Sequence, residues 1–243
     1  MNILEALPRE FAPMLTPPDA RSLKRVVCVQ PHPDDVEIGM GGIVAALANN
    51  GCHIAYITVT NGDKGNLDRA ASPEETAAIR RAEAQAAGKH LGASVFYFLD
   101  HGDGALDDTP ALAREVAEIL RVENPDAVFC PDPWLPYEGH WDHIVTGRAV
   151  SYAFQMARGV SAIGYYFTAK PNAVMDITHA FERKMEAVAL HKSQIDPPTY
   201  AMYRAYFEAK GRALGERLGY GISEGVKLLG RVHTHCFAEA SDI

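Results

Sequence analysis

RVVCVQPHPDDVEIGMGGIVAALANNGCHIAYITVT, residues 25–60, reads as a strand, a helix and a second strand. Arg25–Gln30 is an almost continuous apolar run, the pattern of a strand buried on both faces, and Pro31 and Pro33 end it. Small residues from Ile38 form a helix that closes at Gly51, and His53–Thr60 repeats the buried-strand pattern. Two such strands joined by a helix form a parallel pair, because a parallel return needs a long crossover.

The same alternation continues outward. Ser72-Pro73-Glu74-Glu75 starts a helix, with Ser72 as N-cap, Pro73 in the first turn and Glu75 closing a capping box; Gly92 ends it after Leu91. SVFYFLD (94–100) is a third strand, Thr109-Pro110 opens a helix running to about Glu123, and DAVFCPD (126–132) is a fourth strand. Four alternations predict an α/β fold, a Rossmann-like sandwich with a mostly parallel sheet flanked by helices. From Gly164 the periodicity is less regular. IGYYFTA and NAVMDIT read as strands, ITHAFERKMEAVALHKSQ contains a helix, and another covers about Thr199–Leu218. Pro8, Pro13, Pro17 and Pro18 mark an irregular arm over about 1–24. No repeat or linker divides the chain, so one domain over 1–243 is expected.

Composition narrows the function. A net charge of −8 and the lack of any basic run exclude nucleic acid as the main partner and favour a polar small molecule. No apolar stretch approaches the ~18 residues of a membrane span. The N-terminus lacks the basic and apolar regions of a secretory signal, so a soluble, cytoplasmic protein is expected. Cys28, Cys52, Cys130 and Cys236 form no CxxC pair and read as small buried hydrophobes.

In an open α/β sheet, ligands bind beyond the carboxyl ends of the strands. Three polar clusters fall there: His32–Glu37 after strand one, Asn61–Gly65 after strand two, and PDPWLPYEGHWDH (Pro131–His143) after strand four. The first and third bring together two imidazoles and a carboxylate, a hydrolytic zinc arrangement, with further carboxylates free to act as general base. Each cluster taken alone also has a plain reading. Asp34 or Asp35 can cap the following helix, Asp142 can be the N-cap of IVTGRAVSYAFQMA, and His140 and His143 can be ordinary loop residues. The GxGG of IGMGG lacks the spacing of a dinucleotide site. A glycosidase needs two facing carboxylates and leaves the histidines without a role, whereas a non-catalytic nucleotide-binding module leaves the whole constellation without one.

HPDDVEIGMGG followed by HWDH resembles the LmbE/PIG-L superfamily of metal-dependent N-acetylglucosaminyl deacetylases. TNGDKGN, IRRAEAQAAGKHLG, DPWLPYEGHWDH, HKSQ and YGISEGVKLLG are similar to its diacetylchitobiose deacetylase branch. The resemblance implies one Zn2+ per subunit on His32, Asp35 and His143, with Asp34 as general base. It places His140 near the substrate carbonyl, and Asp142 as a hydrogen-bond partner that fixes a histidine tautomer. It implies a sugar contact for Arg80, whose alternative is a solvated helix charge paired with Glu83 or Glu75. Asp103 becomes a hydroxyl acceptor or a plain turn residue, and His235 an active-site group or an ordinary strand histidine. The family's commoner His-Pro-Asp-His is His-Trp-Asp-His here, so Trp141 either narrows the mouth or stacks on a sugar. The implied substrate is an N-acetylated amino sugar, N-acetylglucosamine or diacetylchitobiose in type. A thiol-sugar conjugate or an antibiotic amino-sugar intermediate is the alternative. The implied assembly is a homo-oligomer, trimer or hexamer.

Overall fold

The computed structural model describes residues 3–241. Seven strands form a sheet in the order β3-β2-β1-β4-β5-β7-β6. They are β1 (Arg25–Gln30), β2 (His53–Thr60), β3 (Val95–His101), β4 (Ala127–Pro131), β5 (Ala162–Tyr166), β6 (Ala173–Asp176) and β7 (Ser223–Gly230). The first five are parallel, with Val26 opposite Ile54 on one side and Ala127 on the other. β7 runs antiparallel to both β5 and β6. The helices are α1 (Ile3–Ala6), α2 (Ala12–Leu15), α3 (Asp35–Asn49), α4 (Pro73–Leu91), α5 (Thr109–Glu123), α6 (Trp141–Met156), α7 (Phe181–Val188) and α8 (Pro197–Glu216). Among the described residues, no helix is long and apolar enough to cross a membrane.

The unbroken apolar runs of the central strands fill two cores, because successive side chains point to opposite faces. Val26 and Cys28 join Ile43, Leu47, Leu91 and Met185 on the α3, α4 and α7 face. Val27 and Val29 join Leu112, Val116, Val150 and Phe154 on the α5 and α6 face. The chain leaves β1 toward β2 and β3 on one side, then returns to place β4 on the other. The crevice this opens at the carboxyl ends of β1 and β4 is the switch point where α/β ligands bind.

Several expectations need correction. β7 was not expected as a strand, because Gly225 and Lys227 interrupt its apolar pattern. RVHTHCF is not a strand but begins as a 3-10 turn, Arg231–Thr234. The irregular arm holds two single-turn helices and is tied to that turn, where Leu15 O accepts from His233 Nε2 at 2.8 Å. Cys28, Cys52 and Cys130 are buried and free, but Cys236 is exposed. α3 starts at Asp35 rather than Ile38 and breaks at Met40 (φ −149°, ψ 23°), within its run of glycines. Two buried side chains take the groups this break releases: Lys184 Nζ donates to Ile38 O at 2.8 Å, and Glu224 accepts from Ile43 N at 2.8 Å.

α6 reaches the end of β4 because Gly147 has no side chain. A Cβ there would lie 2.5 Å from Pro131 O and 2.8 Å from Pro133 Cδ. Gly147→Ala therefore pushes α6 off the strand it packs on. We expect a loss of about 1–3 kcal/mol of stability, read as a lower denaturant midpoint with unchanged m-value.

Candidate metal centre and active site

The end of β1 is fastened before the site begins. Thr60 donates to Pro31 O through both N–H (2.9 Å) and Oγ1 (2.8 Å). Gln30, fully buried, donates to Thr58 Oγ1 at 3.0 Å and accepts from Val36 N at 3.1 Å, satisfying an amide in the first turn of α3. His32 therefore leaves the strand in a fixed direction.

Carboxylates grip the His32 imidazole at both nitrogens. Nδ1 lies 3.2 Å from Asp35 Oδ2, while Nε2 lies 3.2 Å from Asp142 Oδ2 and 3.4 Å from Asp103 Oδ1. Asp142 is itself held by Gly104 N at 2.7 Å. The other oxygen of Asp35 lies 3.3 Å from His143 Nε2, and the His143 ring stacks on Phe167 with centroids 5.9 Å apart and planes at 19°. His140 packs between the other two histidines, 4.5 Å from the His32 ring and 4.8 Å from that of His143. Its N–H donates to Glu138 Oε1 at 2.7 Å.

Arg80 is buried, which overturns the solvated-charge alternative: Glu75 instead closes the helix cap at Ser72, and Glu83 bonds Ser193. Its guanidinium donates to Gly62 O at 3.0 Å and stands 3.4 Å from Asp34 Oδ2 and 3.9 Å from Asp103 Oδ2. Gly62, at φ +68°, and Gly65 leave room for it, since a Cβ on either would lie 2.7 Å from Nη1.

The charges follow from this geometry. Burial disfavours the protonated form of His32, but the hydrogen bonds it donates to Asp103, Asp142 and Asp35 outweigh that and push the pKa up to about 12. His143 is likewise raised, the charge of Asp35 overcoming burial. Burial would raise Asp35, yet His143 and His32 hold it well below the usual carboxylate range. Asp34 is pushed up to about 6 by burial, against the pull of Arg80. His140 is lowered by burial and by its two histidine neighbours, so it stays neutral.

Nine of the ten candidate residues lie at this end of the sheet. Trp141 sits at the rim, half-exposed, with its indole N–H on Leu106 O at 2.8 Å. His235 does not join the cluster within this chain. It is exposed beyond the 3-10 turn, whose Arg231 binds carbonyls of Phe154, Ala157 and Val160 at the opposite end of the strands. Phe167, Glu138 and Gln30 escaped the sequence reading. Glu138 alone carried a signal, as the one glutamate inside the third polar cluster.

The donor set suits a metal ion. His32, His140 and His143 offer ligand atoms within 4.8 Å of one another, as do His32, Asp103 and Asp142. Asp35 adds a carboxylate between two of these imidazoles, with one oxygen 3.2 Å from His32 Nδ1 and the other 3.3 Å from His143 Nε2.

An α/β sandwich with a histidine–carboxylate centre at its switch point is the framework of a metal-dependent hydrolase. Residues 27–154 match the family described as PIG-L, GlcNAc-PI de-N-acetylase, and the chain belongs to that family. It is 34% identical to a diacetylchitobiose deacetylase of Thermococcus kodakarensis over 88% of this chain and 86% of the relative. It superposes on the N,N'-diacetylchitobiose deacetylase from Pyrococcus horikoshii, complexed with its inhibitor MPG, with a TM-score of 0.82. That pair shares 33% identity over 88% of this chain and 86% of the other. GalB, a 4-carboxy-2-hydroxymuconate hydratase from Pseudomonas putida KT2440, shares the fold at TM-score 0.74 and 20% identity, over 84% and 95% of the two chains. The enzyme is a deacetylase that hydrolyses the acetamide of an N-acetylated amino sugar.

The raised imidazole pKa values have a measurable consequence. Without metal, His32 carries its proton at neutral pH, and a metal ligand must give that proton up. Ion binding to chelator-treated protein should therefore release at least about one proton, and affinity should rise roughly tenfold per pH unit for each proton released. Calorimetry in buffers of different ionisation enthalpy counts those protons, and a count of zero is incompatible with this arrangement.

Proposed function

We propose that the ion is zinc, held by His32, Asp35 and His143, and that Asp34 is the general base for removal of acetate from N-acetylglucosamine or diacetylchitobiose. One observation carries the assignment. Asp35 bridges both imidazoles, while the side chain of the adjacent Asp34 makes no hydrogen bond or ion pair with either ring among the described residues and faces Arg80 from a partly buried position. The histidine and carboxylate donors suit zinc, and diacetylchitobiose is the sugar for which the two deacetylases matched above are named.

When bound, zinc supplies Lewis acidity and lowers the pKa of water toward ~7. The residues of the chain do the rest. Asp34, its pKa near the working pH, takes a proton from the water as its oxygen attacks the acetamide carbon. His140, neutral and at the open side of the cluster, donates a hydrogen bond to the oxygen that gains charge. Asp34 then returns its proton to the amide nitrogen as the C–N bond breaks, leaving acetate and the free amine. Asp142 and Asp103 keep His32 oriented through Nε2, which would leave Nδ1 to hold the ion. Arg80 holds Asp34 in place and, with Asp103, offers polar groups to sugar hydroxyls.

Acetate release from both sugars, after chelation and after zinc add-back, tests the reading. Zinc-restored release from either one is expected. Release from neither, by protein shown to hold zinc, would move the search to thiol-sugar and antibiotic-type amides. Asp34→Asn should retain its metal and lose about 10²–10⁴-fold in kcat. Turnover within a few-fold of wild type would remove Asp34 from the role of base.

A further inference from the structure

One buried ionisable pair has no part in these steps. Glu37, in the first turn of α3, and His191, in the segment His191-Lys192-Ser193-Gln194 between α7 and α8, are both fully buried. His191 Nε2 lies 3.4 Å from Glu37 Oε2. Neither Glu37 oxygen and neither His191 nitrogen makes a well-formed hydrogen bond among the described residues. The two side chains thus face one another as a fully buried pair. Burial opposes protonation of His191, and the Glu37 carboxylate more than restores it. Removing both charges from water is costly, and an apolar pair of the same volume commonly stabilises a fold as well or better. What a buried pair adds is a single permitted arrangement.

The rest of the segment shows what is being arranged. Ser193 donates to Glu83 of α4 through both N–H (2.9 Å) and Oγ (2.6 Å). Ser193 O accepts from Leu67 N at 2.8 Å, and the Gln194 side chain donates to Gly65 O. Four consecutive residues thus join the first turn of α3, which begins directly after Asp34, to α4, which carries Arg80, and to the loop on which the Arg80 guanidinium lies.

We propose that His191 and Glu37 are positioning residues for the hydrolysis: their buried pair anchors a clasp, His191–Gln194, that fixes Asp34 and Arg80 opposite one another. The inference rests on the roles given above to Asp34 and Arg80. It predicts that breaking the pair misplaces the base while leaving the metal ligands in place.

His191→Phe keeps a ring and removes the charge, and Glu37→Gln keeps the shape and removes the charge. In zinc-loaded protein, either change should lower kcat roughly 10- to 100-fold. KM should stay within about twofold and metal content should be unchanged. The Leu67 amide, bonded to the clasp at Ser193 O, should exchange with deuterium faster than in wild type. Faster exchange with wild-type kcat overturns the positioning role, and unchanged exchange overturns the clasp. A kcat deficit repaired by excess zinc assigns the pair to metal retention instead, against the proposal. Failure of both variants to fold makes the pair structural and ends the proposal. The exchange readout needs no substrate, so a wild type that releases no acetate would sink the deacetylation reading while the clasp is still judged at Leu67.

Discussion

The grip of three carboxylates on the two nitrogens of His32 is the constraint on which the rest of the site depends. Asp35 reaches it from the first turn of α3, Asp103 from the loop after β3, and Asp142 from the first turn of α6. Three elements distant in sequence thus meet on one ring at the end of β1. In water these like charges would repel. Here the buried imidazolium compensates them. The arrangement also sets the division of labour between two adjacent aspartates. Asp35 surrenders its proton readily to its histidine partners, whereas Asp34, one residue away and turned toward Arg80, holds its proton more tightly.

Much of this was legible in the sequence, for reasons that differ by element. β1, β2 and the capped α4 were readable because their signals are local: unbroken apolar runs and the Ser72–Glu75 box. The convergence of His32, Asp35, Asp142 and His143 was readable because the HPDD and HWDH clusters each follow a strand. β7 was not, since an antiparallel strand at the side of the sheet can carry Gly225 and Lys227 without an apolar run to mark it. Phe167 left no trace either. Its stacking on His143 depends on where β5 ends in space, which no spacing along the chain encodes. His235 is the converse case: its residue type suits the expected chemistry, but within this chain the 3-10 turn leaves it exposed at the opposite end of the strands.

The fold alone does not dictate the reaction. A hydratase shares this framework at 20% identity, so the sandwich supplies a place where side chains converge and the residues placed there supply the chemistry. In this chain those residues lie beyond the ends of β1, β3 and β4, where His32, Asp103 and Asp142 meet.

The break in α3 at Met40 makes that helix two bodies rather than one. Its outer turn carries Asp35 and Glu37, while its inner part, from Ile43 to Leu47, belongs to the core. Lys184 and Glu224 take the backbone groups that an unbroken helix would have bonded to itself, so the two parts meet at a joint bridged by side chains. Over evolutionary time such a joint uncouples two kinds of change. The interior can exchange one apolar residue for another and shift slightly as it does so, while the outer turn keeps its register with the chemistry above it.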